Sequence, residues 1–366
     1  MWKETMVIEN VGHNNFDARS GVFATYEGEK KTVLHIGGKE ISVNKIIKVM
    51  SFDDKVIVFA IDDVGHNDAL LFTKDGELIN KVKCTAIAVN NVNLRYLNII
   101  EYKNYINYFN LVEFETGRVI FGEYIPQREL FVFNDMIFSN EDNIIIRHGW
   151  DGSILWQHDY QPDFNVEIDL GSWFEGVCGG KLWVKSKHDR HEILLAIDVN
   201  TGELVKAFSD SEEDTNLPHC NLGEIDGSYI NVENDHILVL AYDEDYNLFM
   251  NFVNAKTLEV FEKTDYAIDY DYDNGEKYSI GITGFQGDYI TFILSCLHID
   301  GMPSGFAVYN YKKKEVVFAH RLFTPEQTKK GRYLWGNTTR IPFYNNGLIF
   351  VHDNCDTLHI FEDVKE

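Results

Sequence analysis

The clearest hydrophobic pattern in the chain lies at residues 194–208, which read as an apolar strand, a tight turn and a second strand. The first four residues are continuously apolar, which is typical of a strand buried on both faces. Asp198 ends this run, because a short carboxylate accepts hydrogen bonds from nearby backbone N–H groups and starts a turn. Gly202 supplies the positive φ that the reversal needs, and the apolar pattern resumes at Leu204. The segment therefore predicts a β-hairpin.

Weaker copies of this strand–turn–strand pattern recur along the chain. They occupy residues 33–43, 70–79, 111–120, 144–156, 249–261 and 306–318. Together with the first hairpin they place seven turns 35 to 56 residues apart, at positions 38, 76, 117, 152, 202, 257 and 313. Four-stranded propeller blades repeat at roughly 40–50 residues, so the spacing predicts radial repetition of blades.

The hairpin at residues 194–208 resembles the core of the PQQ-like, quinoprotein-type β-propeller repeat. That core is an apolar strand, an Asp, two residues, Thr-Gly and a second apolar strand, and here Asp198 and Thr201-Gly202 match it. Trp156 stands where a tryptophan often closes this repeat. The resemblance implies an all-β fold, a single closed β-propeller of four-stranded blades. The alternative is a β-sandwich with coincidental Thr-Gly hairpins, and the regular spacing favours the propeller.

The two chain ends predict how the propeller closes. Residues 341–366 contain only three strand candidates, whereas residues 1–10 contain one, centred on Val7. Propellers commonly close by letting one terminus complete the sheet of the other, which removes an exposed edge. We therefore predict that residues 1–10 supply the outer strand of a final blade formed by 341–366, and that residues 11–340 form the other blades.

This closure gives eight blades, or seven if the weak copy at residues 33–43 belongs to the closing blade. Hydrophobic residues make up 45% and aromatic residues 14% of the 366-residue chain, which suits the packed faces between blades. No shift in composition marks a boundary, so we predict one domain over residues 1–366. Residues 324–332 contain the one plausible short helix.

The charge balance restricts the class of partner. Lys and Arg number 33 and Asp and Glu number 58, a net charge of −25. A surface with this much negative charge repels nucleic-acid phosphates and anionic membranes. It attracts a basic protein or a cation. The plainer interpretation is solubility. Part of the negative charge is concentrated in three acidic loops at residues 209–215, 243–245 and 265–276.

Two of these loops are the predicted partner-contact surface. Tyrosines are interleaved with carboxylates in the loop at 265–276, and tyrosines give large contact area while carboxylates pair with Lys or Arg of a partner. The candidate partner-binding residues are Asp210, Glu212, Glu213, Asp214, Tyr266, Asp269, Tyr270, Asp271, Tyr272 and Asp273.

The alternating Asp269, Asp271 and Asp273 are also the nearest approach to a calcium motif. The loop departs from the EF-hand pattern, because Asn274 occupies the position that requires glycine and Ile280 the position of the bidentate Glu. A solvated acidic loop is the plainer interpretation. We therefore predict no resident metal.

Histidine and cysteine positions provide weaker signals. His188, His191, His219 and Cys220 lie in loop-like segments and could ligate a metal, but no third ligand stands at a diagnostic spacing. Quinoprotein dehydrogenases hold their cofactor against a ring formed by two adjacent cysteines, and no two of the five cysteines here are adjacent. We therefore carry over the fold from the resemblance and expect neither pyrroloquinoline quinone nor another cofactor.

The expected compartment follows from the same residues. The five cysteines are widely separated and form no CxxC motif, the N-terminal residues do not read as a secretory signal, and no 18-residue apolar run is present. We expect a cytoplasmic monomer that contacts neither membrane nor nucleic acid.

Three functional hypotheses remain open at the level of sequence. The first is a non-enzymatic propeller that binds a basic protein, with neutralisation of a basic toxin by an immunity or antitoxin-like protein as a specific form. The second is a metal-assisted hydrolase or lyase acting at the central channel. The third is a scaffold of the outer-membrane-assembly type. No P-loop, GxSxG or HExxH motif is present, which favours the first hypothesis.

Overall fold

A computed structural model describes the chain except for residues 29–30, 85, 89–94, 104–105, 125–129, 171–173, 189–190, 211–217, 267–277, 297–301, 336–341 and 365–366. Its strands, numbered in chain order, form eight sheets, blades 1–8, and the protein is an all-β propeller. The predicted fold class and the count of eight blades are confirmed. The chain divides into two compact units, residues 1–83 with 267–366, and residues 84–266. The assignment of a single domain stays a prediction.

The first unit contains blades 1, 2, 7 and 8. Blade 1 consists of β2 (Val11–Asp17), β3 (Val22–Tyr26), β4 (Lys31–Ile36) and β5 (Lys39–Asn44). Blade 2 consists of β6 (Ile46–Phe52), β7 (Lys55–Ile61), β8 (Asn67–Thr73) and β9 (Leu78–Cys84). Blade 7 consists of β27 (Tyr278–Gln286), β28 (Tyr289–Cys296), β29 (Pro303–Asn310) and β30 (Glu315–Arg321). Blade 8 combines β31 (Phe343–Asn345), β32 (Leu348–His352) and β33 (Leu358–Asp363) with β1 (Trp2–Ile8).

The second unit contains blades 3 to 6. Blade 3 consists of β10 (Ala86–Ala88), β11 (Tyr96–Lys103), β12 (Ile106–Glu113) and β13 (Arg118–Tyr124). Blade 4 consists of β14 (Phe131–Phe133), β15 (Met136–Glu141), β16 (Ile144–His148) and β17 (Ile154–Asp159), followed by a 3-10 turn at Gln161–Asp163. Blade 5 consists of β18 (Phe174–Cys178), β19 (Lys181–His188), β20 (His191–Asp198), β21 (Leu204–Ser209) and a fifth strand, β22 (His219–Asn221). Blade 6 consists of β23 (Glu224–Asn231), β24 (His236–Tyr242), β25 (Leu248–Asn254) and β26 (Val260–Asp265).

The seven predicted turns are the connections between the third and fourth strands of blades 1 to 7. In blade 5 the Asp198 carboxylate accepts hydrogen bonds from the N–H groups of Asn200 at 2.8 Å and Thr201 at 3.2 Å. Gly202 follows with φ of 77°, and its N–H donates to the Asp198 carbonyl at 2.9 Å. The hydrogen bonds to Asp198 and the positive φ of Gly202 that the sequence predicts are therefore the interactions that form the hairpin.

Packing in the second unit joins blade 4 to this same hairpin. The Trp156 indole N–H donates to the Val199 carbonyl at 2.9 Å. A Cβ at Gly202 would lie only 2.7 Å from the indole ring, so the glycine leaves the space that the ring occupies. The side chain that the repeat pattern singled out thus fixes one blade to the next.

Blade 8 is built from both ends of the chain. β1 pairs antiparallel with β33, from Trp2 opposite Asp363 to Ile8 opposite Leu358. The prediction that the N-terminal strand completes the last blade is confirmed. It also explains why seven hairpins accompany eight blades, since the third and fourth strands of blade 8 belong to opposite termini and need no turn between them.

The predicted short helix is confirmed as α1 (Pro325–Lys329), which follows blade 7. The Thr324 hydroxyl accepts a hydrogen bond from the Gln327 N–H, and the Gln327 side chain accepts one from the Thr324 N–H. This reciprocal capping box satisfies two donors at the start of the helix.

An ion network centred on the buried Asp353 links β1 to the other strands of blade 8. The fully buried Asp353 carboxylate pairs with Arg332, and its Oδ2 lies 3.5 Å from Nε2 of His359. On its other side, Nδ1 of His359 lies 2.7 Å from Oε1 of Glu4, which belongs to β1. The network therefore links the N-terminal strand to residues more than 320 positions away.

The pKa values in this network predict a pH dependence of stability. Burial alone lowers the pKa of His359, but the Asp353 and Glu4 carboxylates outweigh it and raise the pKa above its ordinary value. The protonated ring is therefore favoured by folding. Its contribution is complete below the unfolded pKa of about 6.5 and is lost as the pH rises through the raised folded pKa.

We expect His359→Gln to lower the free energy of unfolding by about 1–2 kcal/mol at pH 5.5 and by clearly less at pH 9. Urea unfolding at both pH values measures the difference. His66→Gln is the control, because His66 is an exposed residue 3.6 Å from Asp62 and its replacement should change stability little at either pH. A loss for His359→Gln that is equal at both pH values would contradict the role of the protonated ring.

Candidate functional site

A pocket of about 590 Å³ lies between the ends of blades 5 and 6, in the second unit. We call it the acidic cleft. It is lined by Asp210, Asn221, Leu222, Gly223, Glu224, Tyr242, Asp243, Glu244, Asp245, Tyr246 and Lys263. Five carboxylates and one ammonium group thus surround a space whose volume is within the usual range for ligand pockets.

Blade 5 supplies one wall of the acidic cleft. Asp210 directly follows β21, and its Oδ2 lies 2.7 Å from Nδ1 of His191, the first residue of β20. β22 runs parallel to β21 and ends at Asn221, which brings the chain back beside Asp210. The predicted partner-binding residue Asp210 therefore lies at the cleft, with the His191 imidazole beside its carboxylate.

The turn between β24 and β25 supplies the opposite wall. The Asp243 carboxylate accepts hydrogen bonds from the backbone N–H groups of Asp245 at 2.9 Å and Asn247 at 2.8 Å. These hydrogen bonds lower the pKa of Asp243 below its ordinary value, and the bond from the Asn247 N–H has the largest effect. The Asp243 carboxyl group is therefore ionised at neutral pH. The turn presents Glu244 and Asp245, both exposed, beside the cleft.

Two tyrosines complete this wall. Tyr246 stands on the same turn with φ of 60° and is 79% exposed, so its ring is available for contact. Tyr242 ends β24, and burial followed by the negative charges of Asp226 and Glu224 raises its pKa. Tyr242 is therefore favoured in its neutral form at the cleft.

Lys263 on β26 is the cation among the lining residues. Its ammonium group lies 4.1 Å from the centre of the Phe249 ring, a cation–π geometry that holds the side chain against the blade. With five carboxylates opposing it, the lining keeps a strong negative balance.

Gly223 sets the close approach of the two walls. Its φ is 92°, and a Cβ on it would lie 1.9 Å from the carbonyl oxygen of Tyr242. Its N–H donates to the Asn221 side chain at 2.9 Å. No other residue type fits at this position without moving the backbone.

The other predicted partner-binding residues fall into two groups. Tyr266 follows β26 and its N–H donates to the Leu248 carbonyl at 2.9 Å, but it does not line the acidic cleft. The rest lie outside the described residues: Glu212, Glu213, Asp214, Asp269, Tyr270, Asp271, Tyr272 and Asp273.

Asp210 is the one cleft residue among the predicted partner-binding residues, and the run 243–245 is predicted only as an acidic loop. The other charged and aromatic residues of the cleft are absent from the prediction: Glu224, Tyr242, Tyr246 and Lys263. Tyr246 carries a usable signal, because it adjoins the acidic run 243–245 in the same tyrosine–carboxylate pattern that marked the loop at 265–276. Glu224, Tyr242 and Lys263 carry none, because only strand pairing in blade 6 brings them to one end of the sheet.

In the part of the chain that the structure describes, no three His, Cys, Asp or Glu side chains come together in a way that could hold a metal ion. The Thr25 hydroxyl lies 3.0 Å from Nε2 of His35, and the Ser139 hydroxyl 2.8 Å from Nε2 of His148. Both pairs join the second and third strands of their blade at equivalent register positions, which is typical of a structural link repeated between blades.

Among the described residues, no helix has the length and apolar character needed to cross a membrane.

Comparisons with known proteins identify no family. No protein-family model matches the chain. No curated protein matches it either. Membership of the PQQ-like repeat family therefore stays a prediction, while the β-propeller fold follows from the sheets themselves.

Solved structures that match the chain are distant. The β-propeller domain of the Trilobed protease from Pyrococcus furiosus is 12% identical, with 83% of this chain and 93% of that chain covered and a TM-score of 0.48. A prolyl endopeptidase structure is 12% identical, with 90% and 51% covered and a TM-score of 0.48. A chain in a Mitotic Checkpoint Complex structure is 9% identical, with 99% and 95% covered and a TM-score of 0.40. At such values these similarities indicate no function.

Proposed function

We propose that this protein is a non-enzymatic β-propeller that binds a basic segment of another protein in the acidic cleft. The observation that carries the proposal is the lining of the cleft, where five carboxylates and two tyrosines surround about 590 Å³. Carboxylates pair with Lys and Arg side chains, and tyrosine rings add contact area at a low entropic cost. Neutralisation of a basic toxin is a specific form of this proposal.

The electrostatics of the whole chain support the same partner. A net charge of −25 attracts a basic protein over long range, and the cleft then supplies the local contacts. The walls are fixed before binding, because hydrogen bonds within the turn hold Asp243 and because the Gly223 backbone packs closely against Tyr242 at the end of β24. Preorganised walls reduce the entropic penalty of association.

The hydrolase or lyase alternative gains no specific support from the site. It needs a bound cation, and the acidic loop considered for one, Asp269, Asp271 and Asp273, lies outside the described residues. We therefore develop the binding proposal alone.

The double variant Glu244→Gln with Asp245→Asn tests the proposal. Both side chains are exposed, so the fold should be unchanged while the cleft loses two charges. Each exposed charge contributes up to about 0.5 kcal/mol, so the Kd for a fluorescein-labelled peptide of alternating Lys and Ala should rise about fivefold. Fluorescence anisotropy at 50 and 150 mM salt measures the Kd.

The matched control is Glu203→Gln with Glu259→Gln. It removes the same net charge from exposed residues of the second unit that do not line the cleft. The control should change the Kd less than about twofold, as expected for screened distant charges. Equal weakening by both double variants would show that the peptide senses only the overall charge, and no weakening by the cleft variant would exclude the cleft.

A further inference from the structure

We propose a second binding site in the second unit, on blades 3 and 4, that accepts an extended peptide carrying an aromatic side chain next to a carboxylate. The site is a pocket of about 390 Å³ lined by Tyr96, Arg118, Val119, Ile120 and Trp150. We call it the aromatic pocket. It is independent of the acidic cleft and of the function proposed for that cleft.

The turn that carries Trp150 is stable without the indole. Asp151 accepts hydrogen bonds from the Ser153 N–H at 3.1 Å and hydroxyl at 2.6 Å, and the Gly149 N–H donates to the Ser153 carbonyl at 2.7 Å. Gly152 rests against the Phe121 ring, where a Cβ would come within 2.8 Å, so the turn is seated on blade 3. The Trp150 side chain is therefore not needed to hold the turn.

The indole of Trp150 nevertheless forms half of a ring pair at the surface. Its centroid lies 4.6 Å from that of Tyr96 at an interplanar angle of 41°, while 38% of the residue stays exposed. Val119 lies beside the indole and is 55% exposed. Leu155 is 56% exposed and adjoins Gly149 of the same turn. Clustered exposed apolar residues, unlike single ones, mark interaction surfaces.

Charge selects the class of ligand. Arg118 stands at the rim with its side chain 70% exposed, and its Nε is 3.8 Å from Oε2 of Glu113. That same oxygen already accepts a hydrogen bond from the Thr116 hydroxyl at 2.7 Å. The ion pair is thus long and shared, and an arriving carboxylate could engage the guanidinium fork more closely. A cation beside two aromatic rings favours a ligand that is both apolar and anionic.

The position of the pocket favours a peptide over a free small molecule. Three consecutive lining residues, 118–120, begin β13, which is the terminal strand of its sheet. A terminal strand presents backbone N–H and C=O groups with which an extended peptide can pair, and alternate side chains of that peptide then point toward the pocket. An aromatic side chain would contact Trp150 and Val119, and the neighbouring carboxylate would reach Arg118.

The test uses the full chain and labelled eight-residue peptides of Thr and Val with a central Phe-Glu, Phe-Lys or Ala-Glu pair. Fluorescence anisotropy should show saturable binding of the Phe-Glu peptide and at least about tenfold weaker binding of the other two. Absence of saturation by the Phe-Glu peptide up to about 1 mM, or equal binding of all three peptides, would overturn the proposal.

Variants locate the binding. Trp150→Ala should raise the Kd of the Phe-Glu peptide about thirtyfold, whereas Trp150→Phe should retain most of the affinity.

Arg118→Gln should raise the Kd of the Phe-Glu peptide about fivefold and leave the binding of a Phe-Gln peptide unchanged. Arg19→Gln is the control, because Arg19 is an exposed residue of the first unit and its replacement should have no effect. Thermal unfolding of each variant checks that the fold is intact. Unchanged affinity in folded Trp150→Ala would exclude the pocket.

Discussion

Replacing Asp353 with alanine should lower the free energy of unfolding by about 3–5 kcal/mol. The carboxylate is fully buried, and its Oδ1 accepts hydrogen bonds from the backbone N–H groups of Cys355 at 2.8 Å and Thr357 at 3.0 Å. Its Oδ2 faces Arg332 and His359. Alanine would leave two N–H donors, the Arg332 guanidinium and the His359 ring without their shared acceptor, and a buried unpaired group is costly.

The physical basis of this effect is visible in the pKa of the same group. Burial raises the pKa of Asp353, yet the bonds from His359, Arg332 and the two backbone N–H groups hold it well below its ordinary range. A lowered pKa means that the ionised form is stabilised by folding, so its contribution is present above about pH 4 and lost at lower pH.

Urea unfolding at pH 7 measures the loss, with Asp54→Ala as the control. Asp54 is an exposed residue that pairs with Lys55 at 3.3 Å, and its removal should change stability little. If Asp353→Ala were as mild as Asp54→Ala, the network would not be what fastens the N-terminal strand to blade 8.

Replacing Gly223 with alanine should lower the free energy of unfolding by about 2–5 kcal/mol and distort the acidic cleft. A φ of 92° is strained for any residue with a Cβ, which accounts for about 1–2 kcal/mol. The Cβ would also lie 1.9 Å from the Tyr242 carbonyl oxygen, and relieving that clash requires backbone movement worth about 1–3 kcal/mol more.

Gly180→Ala separates these two contributions. Gly180 belongs to the same unit and has φ of 75°, but a Cβ there would meet no atom within 4 Å. Its substitution should therefore show the conformational penalty alone, about 1–2 kcal/mol. If both variants lowered the free energy of unfolding equally, a Cβ at position 223 would not clash with the Tyr242 carbonyl oxygen. The Lys-Ala peptide should also bind more weakly to Gly223→Ala than to Gly180→Ala.

Most of the fold could be predicted because its signals are local. Asp198, Thr201 and Gly202 lie within five residues of one another, and their hydrogen bonds form inside a single hairpin. The same pattern at the other turns predicts seven hairpins, which leaves eight blades or seven, and only the structure decides for eight. The closing strand could be predicted as well, because a blade lacking one strand at one terminus calls for an extra strand at the other.

The acidic cleft could be predicted only in part. Asp210 can be predicted because it lies in a run of acidic residues, whereas Glu224 lies in a strand with only Asp226 near it as a second acidic residue. It joins the cleft because β22 returns the chain beside β21 and Gly223 then turns it into blade 6. The parallel pairing of β22 has no counterpart in the hairpin repeat, so no repeat argument could place it.

The amino-acid sequence thus decided the kind and order of the hairpins, a count of eight or seven blades, and the strand that closes the last blade. These features depend on turn residues and on alternation, which act over a few residues along the chain. Only the tertiary structure decided which distant side chains meet: Glu4 with His359, Tyr96 with Trp150, and Gly223 with Tyr242. Such contacts depend on how blades pack, and packing depends on three-dimensional fit rather than on any spacing in the sequence.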